Sequence, residues 1–151
     1  MNFKICISCF DTRDYEYSVK GLISALSLTN LKEEQNIEIE LYTNKSDFHA
    51  KLQSLVGSKI RLVYYEDGAN TPKYHKIKNF YSMIVNSAHE KVDYFMFIDA
   101  DTLVVENIFN VIRQNYCNPS YELLIAHELN TKISTDQIIN YNSGLLLVRP
   151  T

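Results

Sequence analysis

The chain alternates between short strand-like apolar runs and longer segments whose apolar residues recur at helical spacing. Strands are predicted over 3–10, 37–43, 59–65, a run that begins near Tyr94, 121–127 and 143–149. Helices are predicted over 17–31, 46–56, 76–90 and near 106–114. Parallel strands need a crossover between them, so this alternation favours a mainly parallel sheet with helices on both faces. We therefore predict an α/β fold.

The longer helical segments each have one apolar face that is expected to cover the sheet. In 17–31 this face contains Leu22, Ala25 and Leu26. The corresponding side of 76–90 comprises Ile77, Phe80, Met83 or Ile84, and Ser87. For 46–56, Ser46 is the predicted N-cap, and Gly57 lies just past the predicted end.

Length and charge restrict the classes of partner. The 151 residues are expected to form a single domain, 1–151, with one core. The net charge of −3 and the pI near 5.8 give no electrostatic reason to expect nucleic acid or an anionic membrane as a partner. No stretch approaches the roughly eighteen apolar residues of a membrane span, and the start lacks a signal-peptide pattern. We expect a cytoplasmic protein, or a chain whose targeting segments have been removed.

The three cysteines, Cys6, Cys9 and Cys117, are too few for a disulfide framework. Cys6 and Cys9 have C-x-x-C spacing, but they lie in a strand-like run, where residues three apart face opposite sides of the sheet. A redox pair gains its lowered thiol pKa at a helix start instead. We predict reduced structural thiols.

Two acids, Asp99 and Asp101, follow the most apolar run of the chain, Tyr94 to Ile98. In an extended backbone their side chains leave the same face of the strand. Two carboxylates ~5 Å apart repel each other by about 3 kcal/mol at an effective dielectric near 20. Water, a basic side chain or a cation must offset that repulsion. The nearest basic residues are Lys91, eight positions before Asp99, and Arg113, twelve positions after Asp101.

This acidic pair predicts a metal site. Mg²⁺ and Mn²⁺ take oxygen ligands and are commonly held by carboxylates together with substrate phosphates. Ligands of open α/β sheets bind beyond the carboxyl ends of strands, and Asp99 and Asp101 fall where the strand from Tyr94 should end. We therefore expect an ion that bridges the protein to a diphosphate. The alternative is a turn in which Asp99 caps the following residues and Asp101 is solvated.

Three segments resemble the glycogenin-like, family 8 glycosyltransferases. The segment FIDADTLVVENIFNVI (97–112) resembles the metal-binding segment of that family, and YNSGLLLVRP (141–150) resembles its Asn-Ser-Gly signature. CFDTRDYEYSVKGLISALSL (9–28) resembles the opening strand, nucleotide loop and first helix. The resemblance implies a GT-A fold with a Rossmann-like nucleotide-binding sheet. It also implies a metal-dependent, retaining hexosyltransferase that moves a sugar from a nucleotide-sugar, in particular a UDP-sugar, to an acceptor.

The same resemblance assigns roles around the donor sugar. Asp99 and Asp101, with the intervening Ala100, match the acidic segment that holds Mn²⁺ (or Mg²⁺) and contacts the nucleotide-sugar. Asn142 matches an Asn near the donor sugar or the acceptor. Lys76 matches a Lys that approaches the donor, with Lys73 as its rival. A solvated helix-start lysine and turn chemistry at Asn142 are the structural alternatives.

Further residues are candidates for contacts with the nucleobase, and two others resemble an Asp-Gln pair that lies elsewhere in the family. Ser8 and Phe10 end the predicted first strand and are expected to supply backbone groups to the base. Tyr17 matches a Tyr whose ring packs on uracil, with Tyr15 as the alternative. Asp136 and Gln137 resemble an Asp-Gln pair that the family carries after its Asn-Ser-Gly strand, whereas here it comes before that strand. They are weaker donor-site candidates, since Ser134 could instead cap a local helix.

The resemblance is incomplete, because family members continue with a further half that carries a metal-binding His and much of the acceptor site. The chain is thus expected to be an N-terminal piece of a glycosyltransferase, a minimal enzyme, or a non-catalytic nucleotide-binding domain. A nucleotidyltransferase is a further alternative. It would need a glycine-rich basic phosphate loop, and FDTRDYEY (10–17) has no glycine and a single basic residue, Arg13. The acceptor, a glycan, lipid or protein, is left open, as is the oligomeric state.

Overall fold

The computed structural model describes residues 1–31, 36–68, 70–104, 108–115, 123–127 and 141–150. The strands are β1 (Asn2–Ser8), β2 (Asn36–Thr43), β3 (Ile60–Tyr64), β4 (Tyr94–Asp99), β5 (Leu123–His127) and β6 (Tyr141–Val148). The helices are α1 (Glu16–Thr29), α2 (Ser46–Leu52), α3 (Pro72–Asn86) and α4 (Ile108–Asn115). Strands and helices alternate from β1 to β5, as predicted.

The described strands form one sheet in the order β3-β2-β1-β4-β6-β5. Strand β1 pairs in parallel with both β2 and β4, and β2 pairs in parallel with β3. Strand β6 runs antiparallel to both of its neighbours, β4 and β5. The order 3-2-1-4 is that of a Rossmann-like half sheet. The predicted fold class, a mainly parallel α/β sheet with helices on both faces, is confirmed.

The helices divide between the two faces of the sheet. One face packs against α1, α2 and α4 through buried residues that include Leu28, Phe48 and Phe109. The other packs against α3, where Met83 meets Phe97 of β4 in a second buried cluster. Crossovers between parallel strands are right-handed, and the connection from β3 to β4 runs across the sheet in the opposite direction to the first two. That reversal places α3 on its own face.

The two described cysteines behave as structural residues. Cys6 belongs to the cluster against α3 and Cys9 to the cluster on the opposite face, in agreement with the prediction that they point to opposite sides. Both are free and buried, and burial raises the pKa of each thiol above its ordinary value. Cys117 lies outside the described residues.

Several element boundaries differ from the predicted ones. Strand β1 ends at Ser8 instead of residue 10, because the chain leaves the sheet there to form the loop before α1. Helix α2 begins at Ser46, so the predicted N-cap is wrong: Lys45 holds that position with extended backbone angles. Helix α3 begins four residues earlier than predicted. Its first residue is Pro72, whose fixed φ suits that position, and Thr71 accepts the cap hydrogen bond.

Two side chains predicted on buried helix faces are exposed. Leu26 of α1 is 43% exposed and Ile77 of α3 is 72% exposed. In α3 the inward positions include the polar residues His75 and Asn79, whose side chains form hydrogen bonds. A pattern read from apolar residues alone therefore assigns the buried face wrongly. None of the described helices combines the length and apolar character needed to cross a membrane.

Gly21 allows α1 to approach the sheet closely. A Cβ atom at this position would overlap Cys9 Sγ and would lie 2.9 Å from Leu41 Cδ1. Both neighbours are fully buried, so they have little room to move. The glycine is thus required by packing.

We expect Gly21→Ala to lower the free energy of unfolding by about 1–3 kcal/mol through overpacking. Chemical denaturation followed by circular dichroism measures the change. Gly57→Ala is the matched control, because a Cβ at Gly57 would meet nothing within 4 Å. Equal stability of the two variants would contradict the packing described for α1.

Candidate functional site

A cleft opens at the carboxyl ends of β1 and β4, where the strand order of the sheet reverses direction. Such reversal points are the usual ligand sites of open α/β sheets. Ser8 at the end of β1 pairs in register with Asp99 at the end of β4. The cleft has a volume of about 430 Å³. Its lining comprises Ser8, Phe10, Asp11, Thr12, Asp14, Glu16, Tyr17, Pro72, Lys76, Asp99, Ala100 and Asp101.

Seven predicted site residues therefore line one cleft. They are Ser8, Phe10, Tyr17, Lys76, Asp99, Ala100 and Asp101. They come from four separate parts of the chain: the end of β1, the start of α1, the first turns of α3, and the end of β4. The parallel strand order brings these parts together, because carboxyl ends of neighbouring parallel strands share one edge.

The acidic pair occupies the end of β4 and the turn that follows. Asp99 is the last residue of the strand, and its carbonyl accepts a hydrogen bond of 3.0 Å from the Thr102 N–H. Ala100 is buried, whereas Asp101 is exposed. Because the turn begins at Ala100, the alternation of an extended strand does not continue through Asp101. Both carboxylates nevertheless line the same cleft.

The charge of Asp99 is balanced by a lysine distant in sequence. Lys76 Nζ donates a hydrogen bond to Asp99 Oδ1 and forms an ion pair with it. The two side chains are 35% and 21% exposed, so water reaches the pair only partly. The sequence showed no basic residue near the acids, and α3 supplies one from 23 positions away. Asp101 is instead exposed to solvent. Its negative charge adds a small contribution to the raised pKa of Lys20, which is due first to the hydrogen bond with Glu16.

The acids fit a divalent cation in ligand type and position. Two carboxylates line a cleft that is open to a ligand, and Asp99 binds Lys76 through only one of its two oxygens. Hard cations prefer such oxygen donors and complete their coordination with water and phosphate oxygens. Within the described ranges, no group of three or more His, Cys, Asp or Glu side chains comes together as a metal site.

Lys76 and Lys73 lie at different places relative to the cleft. Lys76 lines the cleft, whereas Lys73 lies outside it on an exposed part of α3. One turn beyond Lys76, the buried Asn79 donates a 2.9 Å hydrogen bond from Nδ2 to Ser8 Oγ. This bond joins α3 to the end of β1 and so fixes the height of Lys76 over the cleft.

Tyr17 and Tyr15 also differ in their position relative to the cleft. Tyr17 lines the cleft and is 43% exposed. Tyr15 points toward α2 instead, where its hydroxyl hydrogen-bonds to Asp47 and its ring stacks on Phe48 at 6.2 Å between centroids. The hydrogen bond from Tyr15 holds the pKa of Asp47 below its ordinary value. Tyr15 is therefore occupied with positioning the loop.

Phe10 supplies an aromatic surface on the cleft wall. Its ring stacks on the buried His75 ring at 5.6 Å, with 21° between the planes. His75 Nε2 in turn lies 2.8 Å from the carbonyl oxygen of Asp67. Ring stacking and this hydrogen bond fix the Phe10 side chain against α3, which leaves its other side to the cleft.

Asp11 lines the cleft but was not among the predicted site residues. Its carboxylate is buried and accepts hydrogen bonds from the backbone N–H groups of Tyr17 and Ser18, at 2.7 and 2.9 Å. These are the second and third residues of α1, whose donors have no partner within a helix. Asp11 therefore caps α1 from four residues before the N-cap position, Tyr15. No standard capping spacing would have revealed it.

Asn44 holds the backbone of the same loop. Its Oδ1 accepts from the Asp11 N–H at 3.0 Å, and its Nδ2 donates to the Asp11 carbonyl at 2.7 Å. Ser18 Oγ donates a 2.5 Å hydrogen bond to Asp11 Oδ2 and forms a second one, of 2.8 Å, with Thr43 Oγ1. This polar network ties the loop after β1 to the end of β2, and so gives one wall of the cleft a fixed shape.

The side chains of three further predicted site residues are outside what the structure describes. Asn142 is the second residue of β6, next to β4 in the sheet, but only its backbone is described. Asp136 and Gln137 lie outside the described residues. Their assignment to the donor site stays a prediction.

A larger cavity of about 660 Å³ lies at the opposite, amino-terminal edge of the sheet. It is lined by Lys4, Glu38 and Glu90 among others. Lys4 forms ion pairs with both glutamates, at 3.7 Å to Glu38 and 2.7 Å to Glu90, so its positive charge is already paired within the protein. The smaller cleft is the better candidate site, because ligands of this class of sheet bind at the carboxyl ends.

Comparison with solved structures finds similar folds at low sequence identity. The chain resembles 4-diphosphocytidyl-2C-methyl-D-erythritol synthase from Anaerococcus prevotii, with a TM-score of 0.62 and 14% identity over 98% of this chain and 70% of that one. It resembles galactosyltransferase LgtC, in complex with donor and acceptor sugar analogs, with a TM-score of 0.59, 14% identity, and coverage of 97% and 57%. It also resembles mouse xyloside xylosyltransferase 1, with a TM-score of 0.56 and 13% identity over 99% of this chain and 67% of that one.

These similarities establish the fold. The neighbours include glycosyltransferases of the GT-A type, so the predicted GT-A architecture is confirmed. The chain spans between 57% and 70% of the lengths of the three proteins. No protein-family model matches the sequence, and comparison with curated proteins finds no relative.

We expect Tyr15→Phe to raise the pKa of the Asp47 carboxyl toward its ordinary value, because the variant lacks the hydroxyl that stabilises the ionised form. A lowered native pKa stabilises the fold above the unfolded-state pKa, and this stabilisation is lost as pH falls through the native value. The stability difference between wild type and variant should therefore shrink in acid.

An NMR titration of the Asp47 carboxyl carbon measures this shift directly. Tyr81→Phe is the matched control, since Tyr81 is exposed on α3 and far from Asp47 in the fold. An Asp47 pKa that is the same in wild type and Tyr15→Phe would show that this hydrogen bond does not anchor the loop.

Proposed function

We propose that the chain is a metal-dependent glycosyltransferase domain that transfers a sugar from a nucleotide-sugar, in particular a UDP-sugar, to an acceptor. The observation that carries the proposal is the joint placement of Asp99, Asp101 and Lys76 in one cleft at the reversal point of a GT-A-type sheet. Membership of the glycogenin-like family 8, hexosyl transfer and retention of configuration belong to this proposal as well. They rest on the sequence resemblance.

The acidic pair and the lysine are expected to act on the diphosphate in different ways. Asp99 and Asp101 would hold Mn²⁺ or Mg²⁺, which supplies Lewis-acid stabilisation of the negative charge on the departing nucleoside diphosphate. Lys76 carries a positive charge at the same point of the cleft. An ion at Asp99 would compete with Lys76 for that carboxylate, and the released ammonium group is expected to turn to a phosphate oxygen. Lys76 would then add a second source of positive charge.

The helix ends around the cleft favour the same ligand. Both Pro72, the first residue of α3, and Glu16, the first residue of α1, line the cleft. The N-terminal ends of helices carry partial positive charge and unpaired N–H groups that suit phosphate. At α1 two of these N–H groups donate to Asp11. At α3 Pro72 has no N–H and Tyr74 donates to Thr71, so both ends offer a phosphate mainly their partial positive charge.

The base is expected to lie between aromatic side chains. Tyr17 and Phe10 both line the cleft, and Phe10 is held in place by His75. Flat apolar surfaces of this kind suit a nucleobase, because stacking buries both of its faces. Ser8 ends β1 beneath them, with its hydroxyl already bonded to Asn79, so its expected contribution is through the backbone.

A nucleotidyltransferase is the second candidate, because the synthase from Anaerococcus prevotii shares the fold. The loop after β1 argues against it. Its two acidic residues, Asp11 and Asp14, line the cleft, whereas its basic residue Arg13 is exposed and does not line it. A chain of this class should bind a nucleoside triphosphate and release pyrophosphate. A nucleotide-sugar transferase should bind the nucleoside diphosphate and its sugar ester instead.

We expect Asp99→Asn and Asp101→Asn each to abolish Mn²⁺-dependent binding of UDP, measured by isothermal titration calorimetry with and without Mn²⁺. Each amide removes one negative charge and one strong metal ligand at the cleft. Asp14→Asn is the matched control, because it removes one negative charge from the same cleft outside the pair. It should keep most of the Mn²⁺ effect. Mn²⁺-dependent affinity that is unchanged in both pair variants would refute the assignment.

Turnover separates the enzyme from a non-catalytic nucleotide-binding domain. Hydrolysis of UDP-glucose and UDP-galactose in the presence of Mn²⁺ can be followed by release of UDP. Release that requires Asp99 and Asp101 supports a transferase, which commonly uses water in place of a missing acceptor. Binding of the donor without release favours the non-catalytic domain.

A further inference from the structure

An apolar groove runs along α3 beside the candidate cleft. It has a volume of about 370 Å³, within the roughly 300–1,000 Å³ common for small-molecule sites. Its apolar walls are Ile77, Phe80, Tyr81 and Ile84 of α3, Phe97 of β4 and Leu146 of β6. Phe97 and Phe80 form its floor, buried in an edge-on ring contact at 5.8 Å. Ile77 and Tyr81 form its rim and are 72% and 66% exposed.

The groove has a charged end and an apolar end. Lys73 and Lys76 line it on the side of the α3 N-terminus, and the apolar residues follow along the helix toward Ile84. From Lys76 to Ile84 the helix rises by about 12 Å. Helix α3 contains three lysines and no acidic residue. A ligand that matches this groove therefore has an anionic head and an extended apolar chain.

Lys76 joins the groove to the candidate cleft. Its side chain lines both cavities, and its ammonium group reaches Asp99 at the end of β4. A headgroup held by Lys73, beside Lys76, would thus lie at the edge of the cleft that we assign to the donor. This continuity suits an acceptor, because the accepting group must come close to the donor sugar.

We propose that the groove binds the apolar chain of a lipid phosphate, and that this lipid phosphate is the acceptor of the sugar. A phosphate oxygen of the lipid would bond to the anomeric carbon of the sugar as the bond from that carbon to the nucleoside diphosphate breaks, and the diphosphate would leave with the bonding electron pair. The inference rests on the proposed function and names its acceptor class. A docked protein fits less well, since stable protein interfaces use roughly 20–30 residues from each side and this groove is formed by eight. A flat membrane surface would not need a groove with a buried aromatic floor.

The test uses dodecyl phosphate below its critical micelle concentration as the probe, with binding measured by calorimetry on the whole chain. We expect Ile77→Glu to weaken binding at least tenfold, because it places a carboxylate on the apolar rim. Leu55→Glu is the matched control: Leu55 is 75% exposed in the turn after α2, outside the groove, and its variant should bind like wild type. Lys73→Gln should weaken dodecyl phosphate more than neutral dodecyl maltoside.

Several results would overturn the inference. Equal affinity of wild type and Ile77→Glu for dodecyl phosphate would show that the chain binds elsewhere. Binding to vesicles of anionic phospholipid without binding to the monomeric probe would indicate a membrane surface. Self-association of wild type that Ile77→Glu abolishes, again without probe binding, would indicate that a second copy covers the groove.

Failure of the acceptor groove can be distinguished from failure of the proposed function, because probe binding and UDP binding are measured separately. Ile77 lies outside the candidate cleft, so Ile77→Glu should retain Mn²⁺-dependent UDP binding. Loss of probe binding with UDP binding intact supports the acceptor groove. Probe binding in a wild-type chain that shows no Mn²⁺-dependent UDP binding would refute the proposed function, and with it the acceptor role of the groove.

Discussion

The ion pair between Lys76 and Asp99 is the interaction on which the candidate site depends. Asp99 ends a strand whose other five residues are all buried, where an unpaired carboxylate would be costly. Repulsion between two neighbouring carboxylates is about 3 kcal/mol at an effective dielectric near 20, and attraction to a lysine at similar distance is comparable before solvent screening. The lysine thus lets the fold place two acids together before any ion binds. It also marks the point where a cation and a diphosphate would be held.

The rest of the cleft is shaped by polar residues that hydrogen-bond to other side chains and to the backbone. Asn79 joins α3 to β1 through Ser8, and thereby sets where Lys76 reaches the strand end. Asp11 and Asn44 hold the loop before α1, which presents Tyr17 to the cleft. These side chains are buried or part-buried and bonded, so the cleft walls are fixed by hydrogen bonds as well as by apolar packing. A preformed site of this kind needs little ordering when a ligand binds.

Much of the fold and part of the site follow from the sequence, for identifiable reasons. Strands such as β4 are predictable because a central parallel strand is apolar on both faces, and the acids at its end are visible as a break in that run. The lysine that neutralises Asp99 is not predictable from spacing, because only the folded topology brings α3 to β4. Asp11 escapes prediction because it caps α1 from an unusual distance. The exposed position of Ile77 was missed because two buried polar residues, His75 and Asn79, take the inward face of α3.

The most direct test of the central claim is a crystal structure with Mn²⁺ and a UDP-sugar bound, measured with anomalous scattering from manganese. We expect one manganese peak in contact with carboxylate oxygens of both Asp99 and Asp101, beside the diphosphate, with Lys76 turned toward a phosphate oxygen. A nucleotide bound with manganese elsewhere, or with Lys76 still paired to Asp99 and no metal beside it, would contradict the role proposed for the acidic pair.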